Sequence, residues 1–389
     1  MERTIRTCSK CILPETYPGI SFNEDGVCNF CLTYQPLHPV WGRNALKELL
    51  ESKPKAGACD CVVPLSGGKD STFILYYVVK ELGLSPIAVM HNSGFQHELA
   101  LTNARNACTV LGVPLREVDT SGRLRRTMLK ESLRVSTRIG EFWHPCGNCE
   151  AILRTVAIET ARAYGTPFII WGSSALESGA ASNYLEYKNL EVRSESLARY
   201  AARKIARKLI RLASDRTQRK DLFRLMRSYV GMHALSYACI SIIQRLKLGF
   251  PLSYALRPHA VPPFENGRAV FVHFFDYIGW DSLKTIPLLE QELGWKHPPD
   301  KETRWDCALH CLGNYDNVRM YGISVEGVNS CNFIREEKMT REAALEKERG
   351  ILGTMHEECR AILNELKIGR YRMPPLRASA SPEETAPNR

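Results

Sequence analysis

Residues 61–78 read CVVPLSGGKDSTFILYYV and join an apolar run to a helical stretch through a glycine turn. The β-branched residues before Ser66 predict a buried strand, and the residues from Ser71 predict a helix. The turn is too short for the Gly-x-x-x-x-Gly-Lys-Ser/Thr phosphate loop, so a γ-phosphate grip of that kind is excluded. The N–H groups of Gly67 and Gly68 can still bind an anion, because they lie at the positive end of the predicted helix. A plain strand-to-helix turn is the alternative.

The residues after this turn alternate between predicted strands and helices of about 10 to 15 residues, which is typical of a parallel sheet. The predicted strands are CVVPL, SPIAVMHN, VPLREVDT and TPFIIWGSS, and the predicted helices between them are STFILYYVVKELG, HELALTNARNACTVLG and CEAILRTVAIETARAYG. Gly83 and Gly112 stand where helices end. We therefore expect an α/β fold with a doubly wound parallel sheet, in which ligands bind at the carboxyl ends of the strands.

The overall composition is that of a water-soluble globular protein, with 44% hydrophobic and 24% charged residues. No stretch approaches the roughly 18 apolar residues of a membrane helix, and MERTIRTCSKC lacks the apolar centre of a signal peptide. We therefore expect a cytoplasmic protein without a membrane span. Fourteen cysteines in a chain of this length indicate metal or redox sites rather than disulfides.

Two Cys-x-x-Cys pairs stand close together near the start of the sequence, and they are Cys8 with Cys11 and Cys28 with Cys31. Two such pairs can supply the four thiolates of a tetrahedral Zn²⁺ site. Because four thiolates leave no open position on the ion, we predict a structural zinc knuckle. Chance clustering of buried free cysteines is the alternative.

A third pair, Cys146 and Cys149 in HPCGNC, precedes a predicted helix. Alone it is ambiguous among zinc, a redox dithiol and an iron–sulfur cluster. Cys307 in WDCALH favours the cluster, because three cysteines can hold a [4Fe–4S] group and leave one iron open. Cys311 and Cys331 are alternative third ligands.

Positive charge is concentrated in residues 191–227. This segment contains twelve Lys and Arg and four acidic residues, so its net charge is +8 of the formal +10 of the chain. Such a segment can bind RNA phosphates; the alternative is a solvated helix face or a contact with an acidic lipid or phosphosugar surface. The sequence predicts a small separate N-terminal module, a basic helical insertion and a disordered tail. The predicted parts are 1–35 for the knuckle, 36–58 for a helix and linker, 59–185 for the core domain that contains the glycine turn, 186–255 for the basic helical insertion, 256–370 for the C-terminal part of that core domain and 371–389 for the tail.

PLSGGKDSTFILYYV resembles the Ser-Gly-Gly-x-Asp-Ser loop of the PP-loop ATP pyrophosphatase superfamily. The resemblance implies a loop that binds pyrophosphate with Mg²⁺, while AMP passes to an oxygen of the substrate. Asp70 then contacts the metal or the attacking group, and Lys69 contacts the departing phosphates. The ATP-binding residues assigned in this way are Ser66, Gly67, Gly68, Lys69, Asp70 and Ser71, with His91 and Gly172 on later strands.

The N-terminal cysteines, this loop, PCGNC, FFDYIGWD, WDCALHCLGNY and REEKMTREAAL together resemble a PP-loop subfamily of N-acetyl sugar amidotransferases. A cysteine pair with a distant third cysteine is similar to iron–sulfur-dependent thiolation enzymes. The chain departs from many relatives at residues 92–95, which read Asn-Ser-Gly-Phe instead of Asp-Asn-Gly-Phe. A role that needs a carboxylate at Asn92 is therefore in doubt.

The leading hypothesis is an ATP-dependent sulfurtransferase that adenylates a carbonyl oxygen of a nucleobase, in a small molecule or an RNA. Cys146, Cys149 and Cys307 would hold the cluster that provides sulfur from a donor such as a cysteine desulfurase. One alternative is an amidotransferase that uses ammonia from a partner glutaminase on an N-acetyl sugar. Another is an RNA-binding protein without enzymatic activity. The expected cofactors are ATP, Mg²⁺, Zn²⁺ and a [4Fe–4S] cluster, and a homodimer is expected.

Overall fold

The computed structural model describes residues 5–36, 40–52, 57, 59–123, 126–127, 129–130, 133, 146–172, 176, 263–264, 267–268, 270–279, 281–298 and 305–365. The predicted basic insertion at 186–255 and the predicted tail at 371–389 lie entirely outside the described residues. The remaining predicted parts are described wholly or in large part.

The centre of the fold is a five-stranded parallel sheet in the order β3-β2-β1-β4-β7. Its strands are β1 (Val62–Pro64), β2 (Ile87–Asn92), β3 (Leu115–Asp119), β4 (Phe168–Trp171) and β7 (Val270–His273). A short antiparallel pair, β5 (Pro263–Phe264) and β6 (Gly267–Arg268), precedes β7. The four strands predicted from apolar runs are thus confirmed, and the sheet gains a fifth from the later segment AVFVHFF.

Helices cover both faces of this sheet, because its strands bury side chains on both sides. Val63, Met90 and Ile170 face the cluster that includes α3 (Lys69–Tyr76), α4 (Glu98–Leu111) and α6 (Ser282–Leu293). Neighbours in sequence such as Val62, Val89 and Ile169 point the other way and pack against α5 (Cys146–Ala163). The predicted α/β, doubly wound parallel sheet is confirmed.

Two further helices precede the sheet in the sequence. They are the single turn α1 (Asn29–Leu32) and α2 (Gly42–Glu51). Three helices follow the sheet, α7 (His310–Tyr321), α8 (Val325–Arg335) and α9 (Arg341–Glu365). They pack in two apolar clusters, one shared with the N-terminal module and one with Phe95 after β2. None of the described helices is long and apolar enough to cross a membrane.

Candidate functional site

The glycine turn lies between the end of β1 at Pro64 and the start of α3 at Lys69. Gly67 has a φ of +81°, a conformation that residues with a Cβ rarely adopt. A Cβ at this position would lie 1.8 Å from the carbonyl oxygen of Ala100 on α4. Glycine is therefore required at Gly67 by both backbone conformation and space.

Side-chain hydroxyl groups form hydrogen bonds within the glycine turn. The Oγ atoms of Ser66 and Ser71 are 3.1 Å apart, and Ser71 Oγ also receives the Ser66 N–H at 3.1 Å. Gly68 N–H donates to Ser66 Oγ at 3.3 Å, and its carbonyl accepts from Thr72 Oγ1 at 2.8 Å. The loop thus holds its shape through its own side chains, at the N-terminus of α3.

Lys69 and Asp70 carry the charges of the loop. Lys69 Nζ is 2.9 Å from Asp70 Oδ2, and each side chain is a little over a quarter exposed. Both groups can therefore be reached from solvent. Their predicted contacts with phosphates and metal stay predictions.

The other two residues assigned to the ATP site lie at or just after the ends of parallel strands. His91, near the end of β2, is buried, and its Nε2 lies 2.6 Å from Thr120 Oγ1 just after β3. Gly172 directly follows β4, and a Cβ there would lie 3.0 Å from Ile74 Cδ1 of α3. The structure therefore puts both at the carboxyl edge of the sheet, while their contact with ATP stays a prediction.

Trp295 touches the loop and has no signal in the local sequence pattern. Its indole Nε1 donates to the carbonyl oxygen of Gly67 at 2.9 Å, although 228 residues separate the two in sequence. Trp305 packs beside it, with ring centroids 5.9 Å apart. The segment after α6 thus fixes the glycine turn from outside.

The segment that carries Cys307 lies against the loop after β2. Cys307 forms a β-bridge with Gln96, and hydrogen bonds on either side join Ala308 N–H to Phe95 O at 2.8 Å and His97 N–H to Asp306 O at 3.2 Å. Because β2 runs parallel to β1, this bridge brings Cys307 to the edge where the glycine turn lies. Cys307 is partly exposed.

The first turn of α5 reaches the same edge by topology. α5 connects β3 with the parallel strand β4, so it must run back along the sheet and begin at the carboxyl ends of the strands. Cys149 lies in this first turn and is partly exposed, whereas the side chain of Cys146 is outside the described part. Shared ligation by Cys146, Cys149 and Cys307 therefore stays a prediction.

The two alternative third ligands have other surroundings. Cys311 is buried, its thiol donates to Ala308 O at 3.3 Å, and a hydrogen bond with Cys311 raises the pKa of the Cys359 thiol. Cys331 is fully buried and packs with Cys11 in the N-terminal cluster. Cys307 is the partly exposed one of these three cysteines, and its role as the third ligand stays a prediction.

Asn92, where many PP-loop relatives have aspartate, is used to shape a turn. Its Oδ1 accepts the Gly94 N–H at 2.9 Å, and its carbonyl accepts the Thr120 N–H at 2.8 Å. An amide oxygen serves this purpose as well as a carboxylate does. The geometry thus explains how asparagine is accommodated there.

The N-terminal cysteines converge on one point. The Sγ atoms of Cys8, Cys11, Cys28 and Cys31 lie within 4.8 Å of one another, and all four residues are buried. Cys8 Sγ accepts the N–H groups of Cys11 and Cys28 at 3.4 and 3.2 Å. A tetrahedral ion with Zn–S bonds of about 2.3 Å would hold its sulfurs about 3.8 Å apart, and Cys11 Sγ and Cys28 Sγ are 3.8 Å apart. The donor set therefore fits a zinc ion.

This module is not isolated, because it packs on α8 and α9. Arg335 at the end of α8 directs Nε to Cys31 Sγ at 3.4 Å and Nη2 to Cys11 Sγ at 3.7 Å. Arg341 at the start of α9 donates to the carbonyl oxygens of Cys8 and Cys11 at 3.1 to 3.3 Å. The sequence predicted the cysteine set but not these two arginines or the packing of the module.

Comparisons with known proteins match only parts of the chain. No family model matches the chain. An uncharacterized protein of Methanocaldococcus jannaschii is 26% identical over 169 residues, which are 42% of this chain and 58% of that protein. The tRNA-specific 2-thiouridylase MnmA of Helicobacter pylori is 32% identical over 117 residues, 29% of this chain and 34% of the enzyme. The chain thus spans well under two thirds of these relatives.

Solved structures similar to the chain include two synthetases. NMN synthetase of Francisella tularensis has a TM-score of 0.26 and 23% identity over 34% of this chain and 52% of that one. The NH3-dependent NAD synthetase of Campylobacter jejuni has a TM-score of 0.25 and 15% identity over 49% of this chain and 92% of that one. The fold assignment rests on the sheet order and the glycine turn. The sequence matches support the resemblance to the PP-loop superfamily. They do not identify a subfamily.

Proposed function

We propose that this chain is a PP-loop enzyme that uses ATP to adenylate a carbonyl oxygen of a nucleobase and then replaces that oxygen with sulfur. The glycine turn supports the first half of the proposal. It combines Gly67, hydroxyls at Ser66 and Ser71, and Lys69 at the N-terminus of a helix, where anions bind well. The partial likeness to tRNA thiouridylases supports the second half.

The chemistry balances in two steps. The carbonyl oxygen attacks the α-phosphorus of ATP, the bond to the bridging oxygen of the β-phosphate breaks, and pyrophosphate leaves. A sulfur nucleophile then adds to the adenylated carbon, the bond from that carbon to the AMP oxygen breaks, and AMP leaves. In this reaction Lys69 would contact the departing phosphates, and Asp70, 2.9 Å from Lys69 Nζ, would contact the metal or the attacking group.

The position of Cys307 is the observation that supports sulfur as the nucleophile. A β-bridge to Gln96 brings this partly exposed cysteine to the carboxyl edge of the sheet, where the first turn of α5 presents Cys149. Cys146, Cys149 and Cys307 would hold a [4Fe–4S] cluster, which supplies a bound sulfur nucleophile when present. The acceptor is a small nucleobase compound or an RNA, the sulfur donor is a protein such as a cysteine desulfurase, and the enzyme works as a homodimer.

Iron and acid-labile sulfide in anaerobically purified protein test the cluster. We expect iron and sulfide to be lost from Cys149→Ala and Cys307→Ala and kept in Cys311→Ala, because Cys311 is buried with its thiol bonded to a carbonyl. Cys307 and Cys311 are four residues apart in sequence, and Cys307 is partly exposed whereas Cys311 is buried, which makes them a matched pair. Zinc content should stay the same in all three variants.

Product analysis tests the reaction. Protein incubated with ATP, a sulfide source and either bulk tRNA or free nucleobases should release pyrophosphate and yield a thiolated base detected by mass spectrometry. An iron-free protein that transfers ammonia to an N-acetyl sugar, with Cys307→Ala fully active, would instead establish the amidotransferase. Salt-sensitive RNA binding with no pyrophosphate from any acceptor would leave an RNA-binding protein.

A further inference from the structure

Asp306, next to Cys307, lies directly against the glycine turn. A Cβ built on Gly68 would be 3.4 Å from Asp306 Oδ2 and 3.8 Å from Asp306 Cβ. Only the hydrogen atoms of Gly68 separate its backbone from this carboxylate. The Asp306 side chain is 13% exposed, so it occupies a largely enclosed position beside the turn.

Contacts of its backbone, its side chain and its neighbour Trp305 hold Asp306 there. The Asp306 carbonyl accepts the His97 N–H at 3.2 Å, and its Oδ1 lies 3.3 Å from His310 Nε2. Trp305, the preceding residue, is buried beside Trp295, which donates to the Gly67 carbonyl. The backbone and its neighbours on both sides therefore hold Asp306 against the turn.

The charge of Asp306 conflicts with a simple anion site. The turn has the features that attract phosphates, yet a carboxylate beside it repels them. Lys69, the cation of the loop, lies 2.9 Å from Asp70. A divalent cation shared between Asp306 and the phosphates would turn the repulsion into attraction, because Mg²⁺ is bound in proteins by one or two carboxylates together with substrate phosphates.

We propose that Asp306 is a ligand of the Mg²⁺ that accompanies the phosphates, and that it makes phosphate binding by the turn depend on the metal. This inference rests on the proposed function, since it assumes that the turn binds phosphates. The residues present fit the ion, because an oxygen ligand is held beside the glycine backbone. His310 Nε2 lies 3.3 Å from Oδ1 of that carboxylate.

The test measures binding of inorganic pyrophosphate by calorimetry, with and without Mg²⁺, in the native chain and in Asp306→Asn. With Mg²⁺ we expect the variant to bind at least about tenfold more weakly, since even indirect partners of a metal cost 10- to 100-fold. Without Mg²⁺ we expect it to bind as well as or better than the native chain, because the repelling charge is gone. Affinity for Mn²⁺ in the presence of pyrophosphate, followed by electron paramagnetic resonance, should fall by the same factor.

The opposite signs separate a metal ligand from a structural residue, whose loss would weaken binding under both conditions. Asp60→Asn is the control, because Asp60 Oδ2 accepts the Ser85 N–H at the start of β2, at the other edge of the sheet. Equal Mg²⁺ dependence in the native chain and in Asp306→Asn would overturn this inference alone. Failure of the native chain to bind pyrophosphate or ATP, with or without Mg²⁺, would overturn the proposed function as well.

Discussion

The N-terminal cysteine site and the cysteines at the sheet edge differ in how they are built. Cys8, Cys11, Cys28 and Cys31 come from one short segment, are all buried, and have Sγ atoms within 4.8 Å of one another. Cys149 and Cys307 come from distant segments and are partly exposed. A closed site of four thiolates can bind a structural metal ion, whereas partly exposed cysteines are better placed for chemistry. The two sites should therefore respond to substitution in different ways.

Loss of one N-terminal thiolate should have the largest effect on structure. Structural zinc contributes about 10–16 kcal/mol of apparent binding free energy in zinc-finger peptides, so we expect Cys28→Ser to lose its zinc. Residues 5–36 and α8 should then lose protection in amide hydrogen exchange. Cys108→Ser, in the buried face of α4, is the control and should keep both. Full zinc content and unchanged protection in Cys28→Ser would remove the structural role of this site.

The glycine turn at the sheet edge should be the next most sensitive position. Gly67→Ala places a Cβ 1.8 Å from Ala100 O at a φ of +81°, and strain together with overlap should cost about 2–6 kcal/mol of unfolding free energy. Urea denaturation measures this loss. Gly122→Ala, where an added Cβ meets nothing within 4 Å, should change stability little. If both variants unfolded at the same urea concentration, the turn would not be as tightly packed as described.

Arg335 should raise the zinc affinity of the four N-terminal cysteines without being a ligand itself. Its guanidinium donates to Cys31 and Cys11 sulfurs and so offsets the negative charge of four thiolates. We expect Arg335→Met to weaken zinc binding by about 10- to 100-fold, measured by competition with a chromophoric chelator. Arg335→Lys, which keeps the charge, should lose less. Equal competition by the Met variant and the native chain would show that the guanidinium does not stabilise the metal site.

Glu348 should produce the smallest change, in the pH dependence of the helices that support the closed site. Burial raises the pKa of this carboxyl on α9, although Ser324 N–H and Oγ–H donate to it. The folded chain therefore binds a proton more readily than the unfolded chain does. This contribution to stability is complete below the ordinary glutamate pKa and is lost as pH rises through the raised value.

We expect Glu348→Gln to raise the free energy of unfolding measured with urea at neutral pH, and to flatten the dependence of stability on pH above the ordinary glutamate pKa. Glu326 adds repulsion to Glu348, and Lys347 opposes it. Glu357→Gln, at an exposed position of the same helix, is the control. A Glu348→Gln variant that kept the native slope would assign the pH dependence to other groups.

Features set by neighbouring residues could be predicted from the sequence. Apolar runs mark β1 to β4, and the spacing of Cys8, Cys11, Cys28 and Cys31 marks the metal set. Contacts between distant segments left no local pattern, and Trp295 on Gly67, Asp306 on Gly68 and Arg335 on Cys31 were all missed for this reason. Sequence spacing alone cannot bring such pairs together.

The helix α7 was missed for a different reason. Its sequence, HCLGNYDNVRMY, is rich in residues with low helix propensity. Tertiary contacts compensate, because Asn314 Oδ1 accepts the Val325 N–H at 3.1 Å and Asn317 Nδ2 donates to Ile323 O at 2.8 Å. Its polar residues therefore stabilise the junction with α8 instead of marking a loop.

The contact between Arg335 and Cys11 has a consequence for the order of events during synthesis. These two residues are 324 positions apart, and a ribosome adding about 5–20 residues per second needs roughly 16–65 s to cover that distance. For that time the nascent cysteine segment has no helix to cover its apolar side. Early capture of zinc, or protection by a chaperone, would then decide how much of the newly made chain reaches the folded state.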